Sequence, residues 1–278
     1  EMVLAERGLV AQGTGKTRPP GFDAGLVRGA MSRILLTGGS GRLGTALRGL
    51  MPELIVPPRV ELDITDLESV QSALARYQPE VIVHAAAYTD VARAEEEKEL
   101  CWKVNVGGTR NLVRAALSRP LHFVHISTDY VFWGDVGGYK EDDPVGPVRN
   151  YYALSKLVAE EVVRVLPKYL IIRTSFRPSP FPYPVAFEDM FTGQDYLEVI
   201  APEVVLALNN LTQIPYDTLH IVTERKSVYE LAKRSRPDVQ AGGRASSKVE
   251  LPADISLNIE RWRRLKLAHT TSLGVRHD

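Results

Sequence analysis

ILLTGGSGRLG, residues Ile34 to Gly44, is an apolar run closing on regularly spaced glycines, and its reading decides the fold. Ile34 to Thr37 has the β-branched, continuous apolar character of a buried strand. Gly38, Gly41 and Gly44 fit G-x-x-G-x-x-G, and the same stretch fits G-x-G-x-x-G from Gly39. Both templates ask for a tight turn, close approach of backbone to a pyrophosphate, and close packing of helix on strand. Leu43 to Leu50 carries helical spacing, so the sequence predicts a strand, a glycine turn and a helix N-terminus able to hold a dinucleotide phosphate. Gly38, Gly41, Arg42, Leu43 and Gly44 are the expected contacts.

Outward from that turn, short apolar runs alternate with helical stretches. Leu54 to Val56, Val81 to His84, Phe123 to Ser127 and Tyr169 to Thr174 read as further strands. Leu67 to Tyr77, Glu95 to Leu117 and Leu154 to Leu166 read as helices, with Thr65 and Glu68 as a capping box before the first. Such alternation implies an α/β protein with a doubly wound parallel sheet. After Thr174 the character changes. RPSPFPYPVAF, Arg177 to Phe187, interleaves prolines with aromatics and predicts an extended segment over the sheet. Leu219 to Val222 predicts one more strand, Ser227 with Glu230 caps a helix to about Arg234, and a last helix is expected near Ser256 to Leu267.

The expected organisation is a tail over 1–30, a nucleotide-binding domain over 31–175, and a mixed substrate-binding cap over 176–278. One strand and helix, about 204–235, return to the sheet. Met31 is read as the start of the folded unit. Within the tail, GTGKT at Gly13 to Thr17 invites a P-loop reading, but Val10 stands where that motif needs its first glycine.

Composition narrows the function. Lys plus Arg and Asp plus Glu each number 34, so no net field favours nucleic acid or an anionic membrane as partner. A single cysteine, Cys101, leaves no intrachain disulfide and no cysteine cluster for a metal, and implies a reducing, cytoplasmic setting. No apolar stretch reaches the roughly 18 residues of a membrane helix.

Chemistry concentrates in YYALSK. Tyr152 and Lys156 are i and i+4 neighbours on one helix face, whereas Tyr151 points about 100° away. A phenol titrates near 10 when unperturbed, and a nearby ammonium would lower that value toward a useful proton donor. Lys156 is also expected to hold the cofactor's ribose. Thr128 ends the strand FVHIS, where side chains face the ligand crevice of an open α/β sheet, and could bond a substrate carbonyl oxygen. Ser127 should face the other way. Asn105 is read either as the holder of a water that relays protons to Lys156 or as a buried amide serving backbone groups. His84 and His125 are read as satisfied core histidines.

Cofactor choice turns on the end of the second strand. No carboxylate follows Val56, and Arg59, with Arg42, could pair with a 2′-phosphate, which favours NADPH while leaving NADH open. Asp63, with Ile64 beside it, is assigned to the adenine edge. Ala85, Ala86 and Ala87 are small enough to admit the cofactor.

TGGSGRLG, ELDITD, HAAAYTDVARAEEE, VNVGGTRNL, ISTDYVF, YKEDDPVGPVRNYYALSK and IIRTS follow in an order that resembles the extended short-chain dehydrogenases/reductases. The closest likeness is to the branch that reduces nucleotide-linked 4-keto-6-deoxy sugars. The resemblance covers about Met31 to Ser175. It implies a Rossmann-like fold, an NAD(P)-dependent oxidoreductase, and a nucleotide-sugar substrate. It also implies catalytic roles for Thr128, Tyr152 and Lys156 helped by Asn105, and a substrate contact at Tyr130. Phe176 stands where that branch has tryptophan, and Phe176 and Arg177 are assigned to the substrate side, while the rings of Phe181, Tyr183 and Phe187 are read either as stacking on sugar or base or as packing for a short loop. Asp129 and Tyr130 replace the Asp-Glu pair of the dehydratases, so elimination lacks its second acid. An epimerase of the same superfamily and a non-catalytic NADP-binding regulatory subunit are the rival readings. The oligomeric state is left open, a homodimer being compatible.

Overall fold

Short runs of apolar residues build the sheet. In a computed structural model, which describes residues 33–247 and 250–273, β1 (Ile34–Thr37), β2 (Val81–His84), β3 (His122–Thr128), β4 (Tyr169–Thr174) and β5 (Thr218–Ile221) pair in parallel in that spatial order. Met31, the residues before it and the GTGKT stretch lie outside the described residues. The strands are buried on both faces, as a helix-covered parallel sheet requires.

The strand expected at Leu54 to Val56 shrinks to one bridge. Leu36 N–H donates to Ile55 O at 2.8 Å, and Ile55 N–H donates to Ile34 O at 2.9 Å. Pairing stops there because Pro57 and Pro58 have no N–H to continue it. The bridge still fixes the chain on the outer edge of β1, so β2 must be added on the opposite side. That reversal opens a crevice at the C-terminal ends of β1 and β2, where doubly wound sheets take their ligands.

The helices, in chain order, are α1 (Arg42–Leu50), α2 (Leu67–Tyr77), α3 (Lys98–Trp102), α4 (Thr109–Ala116), α5 (Tyr151–Val163), α6 (Leu197–Asn209), α7 (Val228–Lys233) and α8 (Glu260–Leu273). Alternate side chains of each strand serve opposite faces. Leu36, Val83, Val124 and Ile172 meet Leu43 and Leu47 of α1, Val204 of α6 and Trp262 of α8. Leu35, Ile82, Phe123 and Ile171 meet Leu74 of α2, Leu112 of α4 and Val163 of α5.

Several local expectations change. The cap of α2 is Asp66, whose side chain accepts from Glu68 N–H at 2.9 Å, because Thr65 is already turned toward Asp63. The stretch 95–117 is no single helix: a π turn at Lys103–Gly108 separates α3 from α4. The last helix starts at Glu260, four residues later than expected. The returning helix begins at Leu197 and packs its apolar face into the sheet core, earlier than the expected 204. Ser227 and Glu230 do form a reciprocal capping box.

Past β4, the proline/aromatic run breaks into two- and three-residue strands. Phe181 sinks into a small separate core with Ala186, Met190, Val228, Ala232 and Val239, and Phe187 packs against it. Of the two readings of these rings, the structure shows packing for Phe181 and Phe187. Tyr183 stays 56 % exposed.

Candidate active site

One cleft of about 1530 Å³ runs along the sheet's C-terminal edge, from the glycine turn to the cap. Single-ligand pockets occupy roughly 300–1,000 Å³, so this one has room for two.

At one end, Gly38 sits at φ +74°, and a Cβ there would lie 2.5 Å from Ala86 N. A Cβ on Gly44 would come within 2.2 Å of Gly38 O. The turn is thus closed tightly onto Ala85, Ala86 and the start of α1. Gly41 caps α1 without a side chain, leaving the first helical N–H groups, those of Arg42, Leu43 and Gly44, without a side-chain acceptor. Arg42, Arg48, Arg59, Asp63, Ile64 and Ala87 line the same end. Gly108 abuts Ile64, whose carbonyl accepts from Asn111 at 3.0 Å.

Arg59 differs from expectation. Its Nε and Nη2 both donate to Asp63 Oδ2 at 3.3 Å, on a side chain that is 80 % exposed. Burial works against the Asp63 charge, but hydrogen bonds from Thr65 and the Arg59 guanidinium outweigh it and hold the carboxyl below its usual value. Arg42 is an exposed cation beside the turn, and Arg48 donates to Gly39 O at 3.4 Å.

At the centre lie Thr128, Asp129, Tyr130, Tyr152 and Lys156. Asn150 caps α5 by accepting from Ala153 N–H at 2.8 Å, which starts the helix so that Tyr152 and Lys156 both turn inward. The Tyr152 and Thr128 hydroxyls line the same wall of the cleft. Thr128 Oγ1 donates to Asp129 Oδ1 at 3.1 Å and accepts from Tyr130 N–H at 3.3 Å. Burial raises the Tyr152 phenol above its ordinary value, with Asp129 and Tyr130 pushing the same way and Thr128 opposing. The expected depression by Lys156 is corrected: its Nζ donates instead to Ile126 O at 2.8 Å and meets His125 Nε2 at 3.3 Å. Burial brings the Lys156 ammonium down to about 8, against the pull of Glu160. Asp129 is pushed up to about 6 by burial, with the Ser175 and Thr128 hydroxyls opposing.

Asn105 does not line the cleft. Its Oδ1 accepts from Tyr88 N–H at 2.7 Å, and its Nδ2 donates to Tyr88 O at 3.1 Å and Ser155 Oγ at 2.8 Å. Of the two readings of this amide, the structure shows the backbone-serving one, tying the turn after β2 to α5. Ser127 points away from Thr128 along the strand and donates to Glu160 at 2.6 Å. His84 is satisfied on both nitrogens, by Thr37 and Thr109. His125 is not: its Nδ1 is buried without a partner, a correction to the satisfied-core reading.

At the cap end, Phe176 and Arg177 line the wall with Tyr183 and Gln194. Arg177 Nε donates to Gln194 Oε1 at 2.6 Å, and its guanidinium lies over the Phe181 ring at 5.6 Å. Gln194 and Ser175 carried no sequence signal, since their pairing depends on contact between the end of β4 and a distant cap segment.

A doubly wound sheet, a glycine turn at its switch point and a Thr/Tyr/Lys group in one cleft define a dinucleotide-binding protein of the extended short-chain dehydrogenase/reductase class. Residues 31–177 match the family described as "RmlD substrate binding domain", and the chain belongs to that family. It is 40 % identical over 153 residues to a dTDP-4-dehydrorhamnose reductase of Aggregatibacter actinomycetemcomitans, a match covering 52 % of each chain. The chain thus spans about half the length of the curated relatives it matches. Among solved structures, a dTDP-4-dehydrorhamnose reductase from Bacillus anthracis in complex with NADP superposes with a TM-score of 0.72 at 28 % identity, covering 84 % of this chain and 91 % of that one. A hypothetical dTDP-4-dehydrorhamnose reductase from Sulfolobus tokodaii gives 0.73 at 32 % identity, covering 84 % and 94 %.

Proposed function

We propose that the protein is an NADPH-dependent reductase of a nucleotide-activated 4-keto-6-deoxy sugar. The observation that carries this reading is that Thr128, Tyr152 and Lys156, the last one turn along α5, line the same cleft as the uncapped start of α1. The names of the relatives and the NADP held by the Bacillus anthracis protein support it.

The residues fit the cofactor. The open N–H groups of α1 suit the pyrophosphate, and Gly38 and Gly44 leave no side chain in its way. Arg42 suits a 2′-phosphate, while Asp63 and Ile64 flank the adenine side and Ala85, Ala86 and Ala87 the middle. Arg59 contributes only by exchanging its Asp63 pair for phosphate. When bound, the nicotinamide supplies a hydride to the keto carbon.

The chain's own residues then handle the proton. With its value raised by burial, Tyr152 is fully protonated at neutral pH, the form a donor needs. An alkoxide is a much stronger base than a phenolate, so delivery of that proton is downhill without a depressed phenol. Thr128 orients the phenol and the substrate oxygen, and Lys156 supplies positive charge behind the phenolate that forms. Tyr130, Phe176 and Arg177 border the sugar and diphosphate, Arg177 being the cation on that wall. Asn105 serves by fixing α5 to the β2 turn. The test is absorbance loss of NADPH on addition of dTDP-linked 4-keto-6-deoxy sugars. Turnover is expected with wild type, and its absence across such a panel would leave a binding protein.

A further inference from the structure

On the α5 side of the sheet, the C-terminal strand ends carry two polar rows. Thr37, His84 and His125 share one register row on β1, β2 and β3, and Ser127, Arg173 and His220 share the next on β3, β4 and β5. Proton accounting fixes most of them. Thr109 donates its only hydroxyl proton to Asn105 O at 2.6 Å, so it must accept from His84 Nε2–H at 3.0 Å. His84 Nδ1 then accepts from the Thr37 hydroxyl at 2.8 Å, and the ring is neutral, in line with burial pushing it down to about 3. Ser127 and Arg173 both donate to Glu160, Arg173 through Nε at 3.0 Å and Nη2 at 2.8 Å.

His125 breaks the pattern. Its Nε2 lies 3.3 Å from Lys156 Nζ, while Nδ1 is the one buried side-chain polar atom of these six residues without a partner. An ammonium can only donate, so Nε2 accepts and the proton sits on the orphaned Nδ1. A buried unpartnered N–H carries an uncompensated desolvation cost, which an apolar residue at this place would avoid. Stability therefore does not explain the imidazole.

We propose that His125 is a positioning residue for the reduction: its Nε2, together with Ile126 O, anchors the Lys156 ammonium against β3 and keeps the lysine charged and aimed beside Tyr152. The inference rests on the role given to Lys156 above. The other titratable groups around the ammonium are Tyr152 and Glu160 on α5, Cys101 on α3 and His84 on β2. Glu160 and, more weakly, Cys101 favour the charge, and Glu160 is already shared with Arg173 and Ser127. Losing the His125 acceptor removes a hydrogen bond that is stronger from the ammonium than from the neutral amine, so the lysine should discharge at lower pH.

The experiment is the pH profile of kcat/KM for NADPH-dependent reduction in wild type, His125→Phe, His125→Gln and His125→Asn, with Lys156→Met alongside. His125→Phe should move the alkaline limb to lower pH by about one unit, a tenfold change in the protonation constant. His125→Gln, whose Oε1 reaches the place of Nε2, should return the limb to wild type, whereas His125→Asn, whose amide ends near the place of Nδ1, should not. If His125→Phe does not fold, the Gln and Asn pair decides, and identical profiles for those two overturn the proposal. A wild-type profile in a folded His125→Phe overturns it also. If Lys156→Met loses activity while every His125 variant keeps the wild-type profile, only the role of His125 fails. If Lys156→Met stays active, the reading of the lysine fails with it.

Discussion

The two ends of the cleft are built differently. The nucleotide end is backbone: a glycine turn, the start of α1 and the alanines after β2, all fixed by strand register and close contacts. The cap end is side chain: Phe176 and Arg177 on a two-residue strand, Tyr183 and Gln194 on irregular chain, joined by bonds such as Arg177 to Gln194. Between them, Thr128, Tyr152 and Lys156 stand on β3 and α5 and are buried. A backbone-built end is committed to a ligand part that does not vary, a dinucleotide phosphate. A side-chain-built end can be changed by substitution without disturbing the sheet, which is where substrate selection would be expected to reside.

The comparison breaks most sharply at the centre. Tyr152→Phe should lower kcat by roughly 10²–10⁴-fold, the usual worth of a positioned proton donor, with NADPH affinity nearly unchanged. Steady-state kinetics and a cofactor titration check both halves. Next comes the scaffold beneath: Glu160→Gln leaves the Arg173 guanidinium buried without its carboxylate and should destabilise the fold by about 3–5 kcal/mol in urea unfolding. A smaller effect sharpens the contrast of the ends. Arg177→Ala should raise KM for the sugar nucleotide about tenfold, one charge-assisted contact, and leave the Kd of NADPH within about twofold. Equal losses for both ligands would mean the ends are not separable.

A pH dependence tests the buried centre by its sign. Asp129 binds its proton more tightly in the folded state, about 6 against 3.8, so stability falls as pH rises through that window and the penalty is complete above it. Asp129→Asn should therefore gain stability relative to wild type at pH 7.5, and the gain should vanish by about pH 4. Denaturation curves at the two pH values test the sign.

Legibility in the sequence followed the same division. The glycine turn, the strands of the sheet and the Tyr152/Lys156 pair depend on local spacing, and the described structure places them together. Features set by distant partners were not legible. The second strand dwindled because two prolines outrank an apolar triplet as ladder partners. Phe181 could be read as a ligand-facing ring or as packing, and only the fold decides for packing, since α7 and Met190 come from elsewhere in the chain. Lys156 was expected beside the phenol, but the carbonyl of Ile126 and the imidazole of His125 are nearer acceptors. The π turn at Asn105 had no signature, as it answers to Tyr88 and Ser155 across the fold.

The most direct test is stoichiometry: purified protein, excess NADPH and a limiting dTDP-linked 4-keto-6-deoxy sugar, with absorbance followed to completion. One NADPH oxidised per keto sugar, abolished in Tyr152→Phe, is the expected result. Conversion of the sugar without net NADPH loss, or NADPH binding with no conversion, would contradict the account.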